Sequence, residues 1–156
     1  MLSFRAIVVP TDFSGHSLRA LSYALGLAGK YDADVKILFV NEPGLQVSDM
    51  AWVGVDERSL KDEHVKEARA NLDKIVREQI PPDMAVEAII RSGDAVDEII
   101  AYADEVNADL IVMATHGRTG LSHMLMGSTA EQVIRRASCP VLTLKHPMHV
   151  TSHLED

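Results

Sequence analysis

The hydrophobic positions of this chain follow two patterns that alternate along its length. Five short, nearly continuous apolar runs predict β-strands that are covered on both faces, at Phe4–Val9, Val35–Val40, Met84–Ile90, Leu110–Ala114 and Val141–Leu144. Between them, apolar residues recur every three or four positions, which is typical of amphipathic helices. These helices are expected at about Ser14–Tyr31, Glu57–Gln79, from about Asp94 onward, and at about Ser128–Ala137.

Strict alternation of strand and helix predicts an α/β fold, a single doubly wound domain with a five-stranded parallel sheet and helices on both faces. We expect the strand order 3-2-1-4-5, which reverses between the first and fourth strands. Such sheets bind ligands beyond the carboxyl ends of the strands at that reversal. Pro10-Thr11-Asp12 and the segment after Met113 should therefore line one crevice. The domain is placed at residues 1–146, with a polar C-terminal tail at 147–156.

The connection between the fourth strand and the last helix is unusually long. It runs from Ala114 to Gly127, which is 14 residues, whereas strand-to-helix connections usually take about 2–6 residues. It ends in Gly127-Ser128-Thr129, where a glycine and the amides of a helix start would suit a phosphate. The alternative is a plain helix cap, because the four residues that begin at Ser128 also fit the capping-box pattern S-x-x-E. Neither a Walker-type loop nor a Rossmann fingerprint is present.

The other residues that could belong to a functional site each have more than one possible role. Asp12 follows the first strand, so it could bind a ribose hydroxyl, an adenine amine or a divalent ion, or it could serve a turn or cap the first helix. The histidines lack zinc-site spacing, and no nucleophile–base arrangement can be argued, so no catalytic residue is assigned. The long Asn41–Val55 segment, which contains Trp52, is interpreted as a lid, a partner contact or a cover for the sheet edge.

Composition and charge narrow the class of partner. The 156 residues carry a net charge of -8, which argues against nucleic acid and against anionic membranes, since both attract basic surfaces. No apolar run is long enough to cross a membrane, and the N-terminus lacks a signal-peptide pattern. The single cysteine, Cys139, is expected to be a buried structural thiol. A cytoplasmic location is the natural expectation.

Three stretches carry a resemblance that covers nearly all of Phe4–Lys145: IVVPTDFSGHS, SGDAVDEII and, above all, DLIVMATHGRTGLSHMLMGSTAEQVIRRASCPVLTLK. With these the chain resembles the universal stress protein family. Its ATP-binding members carry G-x2-G-x9-G-[ST]. Here the second and third glycines match as Gly117 and Gly127, followed by Ser128, and Ala114 replaces the first glycine.

This resemblance implies a nucleotide site whose residues fall into three groups. The adenine and ribose end would be lined by Pro10, Thr11, Asp12 and Val40. The ribose and α-phosphate would be flanked by Met113, Ala114, His116 and Gly117. The outer phosphates would lie against Gly127, Ser128 and Thr129, with Arg118 assisting. The implied cofactor is ATP, or AMP, with Mg²⁺ or Mn²⁺ bridging the phosphates and with Asp12 as the one protein group that could reach the metal.

The family also pairs its last strand with a second copy, and an apolar edge strand at Val141–Leu144 would otherwise be a liability. We therefore predict a homodimer. The predicted function is a cytoplasmic, dimeric, ATP-binding stress protein that acts as a nucleotide-dependent regulator on a partner protein. The alternatives are a slow ATPase, for which Asp12 and His116 are the only obvious bases, and a dimeric interaction module that does not bind nucleotide.

Overall fold

The computed structural model describes residues 3–43, 57–116 and 126–145. All the predicted strands and helices are present in it. In chain order they are β1 (Ala6–Thr11), α1 (Gly15–Tyr31), β2 (Asp34–Asn41), α2 (Glu57–Gln79), β3 (Val86–Ser92), α3 (Ala95–Glu105), β4 (Leu110–Ala114), α4 (Ser128–Arg136) and β5 (Val141–Leu144).

The five strands form one sheet in the order β3-β2-β1-β4-β5, and every neighbouring pair is parallel. The predicted fold class and strand order are therefore confirmed. β1 lies at the centre and pairs with β2 along its whole length, from Ala6 opposite Asp34 to Thr11 opposite Phe39. The order reverses between β1 and β4, which places the expected crevice there.

Two apolar cores cover the two faces of the sheet. Alternate residues of β1 divide between them: Ile7 and Val9 pack with α1 and α2, whereas Val8 packs with α3 and α4. Because neighbouring side chains of a strand point to opposite faces, a strand buried on both sides needs apolar residues at every position. This explains the continuous apolar runs from which the strands were predicted.

Several boundaries and burial states differ from the sequence-based expectations. β1 starts at Ala6 rather than at Phe4 and continues through Pro10 to Thr11, and β3 is shifted towards the carboxyl end. Ile134 continues the apolar pattern of α4, which predicts burial, but it is 41% exposed, because this short helix presents only one narrow stripe to the sheet and α3. No helix in the described part of the chain is both long and apolar enough to span a membrane.

Cys139 is half-buried rather than fully buried, and it packs beside the α3–α4 core. Burial raises the pKa of its thiol, so the reactive thiolate is disfavoured at neutral pH. This agrees with a structural role for the cysteine.

Candidate functional site

The sheet opens at the carboxyl ends of β1 and β4. These strands pair only at Ile7 with Leu110 and at Val8 with Ile111. Beyond that point β1 continues beside β2, and β4 continues beside β5 up to Ala114. The two central strands therefore separate where the strand order reverses, and their ends form the walls of a crevice.

Pro10 lies on the open side of β1. The carbonyl of Arg5 accepts from Asp34 on the β2 side at 2.8 Å, and the carbonyl of Ala6 accepts from Asp109 on the β4 side at 2.9 Å. Because backbone groups alternate in direction along a strand, Pro10 faces β4, as Ala6 does. A proline cannot donate to a sheet ladder. It lies here on the side where β1 has no partner strand beyond Val8.

Side chains alternate between the two faces of the sheet. The residues predicted to line the adenine, the ribose and the α-phosphate are therefore divided between these faces. Met113 and Val40 belong to the core formed with α3 and α4, and Pro10 shares the face of Val8 by its position in the strand. Thr11 and Ala114 point to the opposite face, that of α1. The α3–α4 side of the crevice therefore receives Pro10, Val40 and Met113, and the methyl group of Ala114 points away from it.

Thr11 is held by α1. It is 7% exposed, and its hydroxyl lies 3.0 Å from that of Ser17, which is 4% exposed. Thr11 Oγ1 also accepts from the amide of Phe13 at 3.1 Å, and Ser17 Oγ donates to the carbonyl of Ser14 at 2.9 Å. The Thr11 side chain is therefore engaged with the turn and with α1.

The turn between Thr11 and α1 contains a strained backbone at Phe13, which is held in place by side-chain packing. Phe13 has a left-handed backbone with φ of 64°, which is uncommon for a residue other than glycine. Its ring stacks on Phe39 of β2, with centroids 4.7 Å apart and planes 24° from parallel. Strained backbone of this kind is concentrated at functional sites, where the surroundings hold it in place.

Asp12 serves this turn and does not cap the helix. Its Oδ1 accepts from the amide of Ser14 at 3.0 Å and from the Ser14 hydroxyl at 2.5 Å. The cap of α1 is Ser14, whose hydroxyl accepts from the amide of Ser17 at 3.2 Å. Two structural roles were predicted as alternatives for Asp12. Its role in the turn is thus confirmed, and its role as the cap of α1 is wrong. The half-buried carboxylate is fixed beside the crevice by two donors from one residue.

The start of α4 differs from the capping-box prediction. The N-cap is Gly127, which makes no side-chain cap hydrogen bond, and Ser128 is the first helical residue. A Ser128 cap is therefore wrong. The shift leaves Ser128, Thr129 and Ala130 as the first three residues of the helix, whose amides have no acceptor within it. These amides and the Ser128 and Thr129 hydroxyls form the helix end that the resemblance implies for the outer phosphates.

The amide of Gly127 does not belong to this set of donors at the helix end. It donates to the carbonyl of Thr115 at 2.6 Å, and so joins the start of α4 to the end of β4. A β-carbon on Gly127 would lie 2.8 Å from the same carbonyl oxygen. Glycine is therefore required here by the close approach of two backbones, whatever the site binds.

Not all the predicted site residues can be placed. Gly117 and Arg118 lie outside the described residues, and the Asn41–Val55 segment is described only as far as Pro43. His116 lies two residues beyond the end of β4, and its Nδ1 lies 2.9 Å from the hydroxyl of Thr115. In the part of the chain that the structure describes, no group of three acidic, histidine or cysteine side chains could hold a metal ion.

Sequence reasoning missed Ser17 and Thr115. Ser17 lies on the buried stripe of α1, in helical register with Leu21, Ala24 and Ala28. A hydroxyl on such a stripe needs a buried partner, and this pattern could have revealed it. Thr115 directly follows an apolar strand, and no pattern in the sequence marks its contacts.

The chain matches the model of the universal stress protein family over residues 3–145. It is 36% identical over 147 residues to the universal stress protein MJ0531 of Methanocaldococcus jannaschii, a match that spans 92% of this chain and 84% of that protein. Both the sequence and the length therefore correspond over nearly the whole domain.

Two solved structures share the architecture. That of the protein MJ0577 has a TM-score of 0.82 at 29% identity and covers 94% of this chain and 99% of that one. A universal stress protein in complex with cAMP has a TM-score of 0.61 at 26% identity, covering 92% and 98% of the two chains.

Proposed function

The chain belongs to the universal stress protein family, and we propose that it binds an adenine nucleotide, ATP or AMP, in the crevice between β1 and β4. The observation that carries the proposal is that two features meet at one end of the sheet. The central strands separate beyond Val8 and Ile111, and the amide of Gly127 ties the start of α4 to the end of β4. The open helix end therefore lies beside the crevice.

The division of side chains suggests how the nucleotide would lie. Apolar groups on the α3–α4 side, Val40 and Met113, suit the face of an adenine ring, and the Asp12 carboxylate suits an amine or a sugar hydroxyl. Phosphates would reach the first amides of α4 and the hydroxyls of Ser128 and Thr129. The resemblance adds Gly117 and Arg118 to the phosphate side. The related protein in complex with cAMP supports a nucleotide of this class.

A divalent ion would be carried by the nucleotide. The described residues provide no three-ligand cage for a metal, whereas Mg²⁺ is commonly held by substrate phosphates and one or two carboxylates. Asp12 is the carboxylate that we propose for this role. Mg²⁺ or Mn²⁺ is therefore proposed as a companion of bound ATP, where it would neutralise phosphate charge.

We further propose that two copies associate through β5. In the described part of the chain β5 is an edge strand, paired only with β4, and edge strands invite pairing with another chain. Leu142 on β5 is 36% exposed, and Ile134 on the adjacent α4 is 41% exposed. Pairing of two β5 strands would cover the unpaired backbone and bring these apolar groups to the interface.

Dimerisation is tested by the variant Leu142→Lys, with Val65→Lys as its control. Val65 is equally exposed, at 36%, but lies on α2. Sedimentation velocity should show a dimer for the unmodified protein and for Val65→Lys, and a shift to monomer for Leu142→Lys. A monomer in all three proteins, or a dimer that survives in Leu142→Lys, contradicts the proposed interface.

In the proposed function, the nucleotide acts as a regulatory ligand of a stress-response protein in the cytoplasm. Its occupancy would change the surface that the dimer shows to a partner protein. Slow hydrolysis, with Asp12 or His116 as base, and an interaction module without nucleotide are the competing outcomes. Steady release of phosphate that is lost in Asp12→Asn, while nucleotide binding survives, would favour the enzyme.

Nucleotide binding is tested by calorimetric titration of nucleotide-free protein with ATP, AMP and cyclic AMP in the presence of Mg²⁺. The informative variant is Ser128→Glu, because a carboxylate in the first turn favours the helix but repels phosphates. Gln132→Glu adds the same charge one turn further on. We expect Ser128→Glu to weaken ATP binding at least tenfold and Gln132→Glu to leave it nearly unchanged. No binding to the unmodified protein, or equal binding by both variants, contradicts the proposal.

A further inference from the structure

One row of backbone groups on β3 points away from the sheet. The carbonyl of Ala85, immediately before β3, accepts from the amide of Val35 on β2 at 3.1 Å. Because backbone groups alternate in direction along a strand, Ala85 and every second residue after it face β2. The residues that face outward are therefore Val86, Ala88 and Ile90. In the part of the chain that the structure describes, β3 pairs only with β2, so this row forms an edge of the sheet.

Arg69 of α2 engages the middle of this edge. Its Nη1 donates to the carbonyl of Ala88 at 3.0 Å, and Ala88 is the central one of the three outward-facing residues. A strand that added at this edge would need the same carbonyl as an acceptor. The new strand would have to displace the guanidinium group or bury its charge. Both steps cost free energy, so Arg69 opposes the addition of a strand.

The side chains of β3 also disfavour pairing. β3 carries Glu87 and Arg91, whereas the four residues of β5 include no charged one. Oε2 of Glu87 lies 2.9 Å from Nζ of Lys36, and Nη1 of Arg91 lies 3.6 Å from Oε2 of Glu98. Both charges are thus held in place by partners on β2 and α3. Since charged residues on an edge strand hinder pairing between copies, the two edges of the sheet differ: β3 is charged and engaged by α2, and β5 is apolar.

We propose that Arg69 closes the β3 edge to strand addition by a second copy of this chain. The consequence for assembly rests on the proposed association through β5, whereas the closure of β3 does not. If both edges could pair, each added copy would offer another open edge, and copies would join into a growing chain. With β3 closed, association through β5 ends at two copies.

The closure is tested in the Leu142→Lys background, which removes the proposed β5 contact. Arg69→Ala should associate as its concentration rises in sedimentation velocity, with an association constant at least about tenfold above that of the background protein. Arg77→Ala is the matched control, because Arg77 is exposed and lies about two turns further along α2. Arg69→Lys keeps a cationic donor, so it and the control should not associate further. No association of Arg69→Ala, or equal association of Arg77→Ala, overturns the proposal.

The place of association is found by amide hydrogen exchange of Arg69→Ala at low and high concentration. The amides of Ala88 and Ile90 point outward, so they should exchange more slowly at high concentration. Those of Glu87 and Ile89 face β2 and should change little. Association without this alternate protection overturns the role of Arg69. If Leu142→Lys alone is still a dimer, the proposed β5 interface fails. The role of Arg69 is then still decided by whether Arg69→Ala forms larger assemblies with these two amides protected.

Discussion

The amide of Gly127 donates to the carbonyl oxygen of Thr115 at 2.6 Å, and a β-carbon on Gly127 would lie 2.8 Å from that oxygen. The contact joins the two ends of the long connection between β4 and α4. It gives Gly127 a structural reason to be glycine that is independent of any nucleotide. A loss of nucleotide binding in a Gly127 variant would therefore not by itself identify a phosphate site.

Gly127→Ala is predicted to destabilise the nucleotide-free protein by about 1–3 kcal/mol, because the added methyl group forces two backbones apart. Gly26→Ala is the control. Gly26 lies within α1 with nothing near its missing β-carbon, so alanine there should be neutral or stabilise the helix by up to about 1 kcal/mol. Urea unfolding measures both. Equal stability of the two variants would mean that the Gly127 contact does not constrain the fold.

Ser17→Ala is predicted to lower the free energy of unfolding by about 1–3 kcal/mol, because it leaves buried Thr11 without its partner hydroxyl. Ser22→Ala, on the same helix, removes an exposed hydroxyl that donates to the carbonyl of Leu18 at 3.2 Å. That change should cost less than about 0.5 kcal/mol. Urea unfolding again makes the comparison. If the two variants unfold alike, the Thr11–Ser17 pair does not support the turn that presents Asp12.

Asp109 is predicted to make stability depend on pH in the acid range. Its Oδ2 accepts from the amides of Arg5 at 2.7 Å and Ala6 at 3.1 Å, and these bonds lower the pKa of the carboxyl group. A pKa that is lower in the folded state stabilises the fold above the unfolded value of about 3.9, and the effect is lost as the pH falls through the folded value.

The variant Asp109→Asn isolates this effect. It should be less stable than the unmodified protein by about 1 kcal/mol at pH 7, and the difference should shrink as the pH approaches 3. Asp73→Asn makes the same chemical change at an exposed position on α2 and serves as the control. Urea unfolding at several pH values gives both curves. A stability difference for Asp109→Asn that stays constant with pH would contradict the assignment.

Removing the hydroxyl of Tyr102 is predicted not to lower the stability of the protein, in contrast to the changes at Ser17 and Asp109. Its side chain is buried in the α3–α4 core, and its hydroxyl finds no hydrogen-bond partner among the described residues. Burial raises the pKa of this phenol, so the group stays neutral at physiological pH. Tyr102→Phe removes only the buried oxygen and should leave stability unchanged or raise it by about 1 kcal/mol. A loss of more than 1 kcal/mol in thermal unfolding would reveal a partner for the hydroxyl.

The periodicity of the sequence was enough to predict the strands and helices, because buried parallel strands and amphipathic helices have distinct apolar patterns. It was not enough at the start of α4. The S-x-x-E pattern favoured Ser128 as the cap, but a close approach of backbones places Gly127 there. Contacts between residues distant in the chain decide such details, as they do for Thr115 with Leu144, and local sequence does not record them.

The sequence pattern also did not predict which apolar residues of a short helix are exposed. Ile134 continues the apolar pattern of α4 but is exposed, because only one narrow stripe of this helix meets the core. At the candidate site, the resemblance supplied the residues and the structure supplied their division between two faces of the sheet. Thr11 and Val40 belong to one predicted group of ligand contacts, yet their side chains point to opposite sides.

The central claim is that an adenine nucleotide binds at the carboxyl ends of β1 and β4. The most direct measurement is a ¹⁵N–¹H NMR titration of the nucleotide-free protein with ATP and Mg²⁺, following each backbone amide. The account predicts shifts concentrated at Thr11–Ser14, Val40, Met113–His116 and Ser128–Ala130, with little change around Asp32 and Asp83 at the opposite end of the sheet. No shifts at millimolar ATP, or shifts centred on that opposite end, would contradict it.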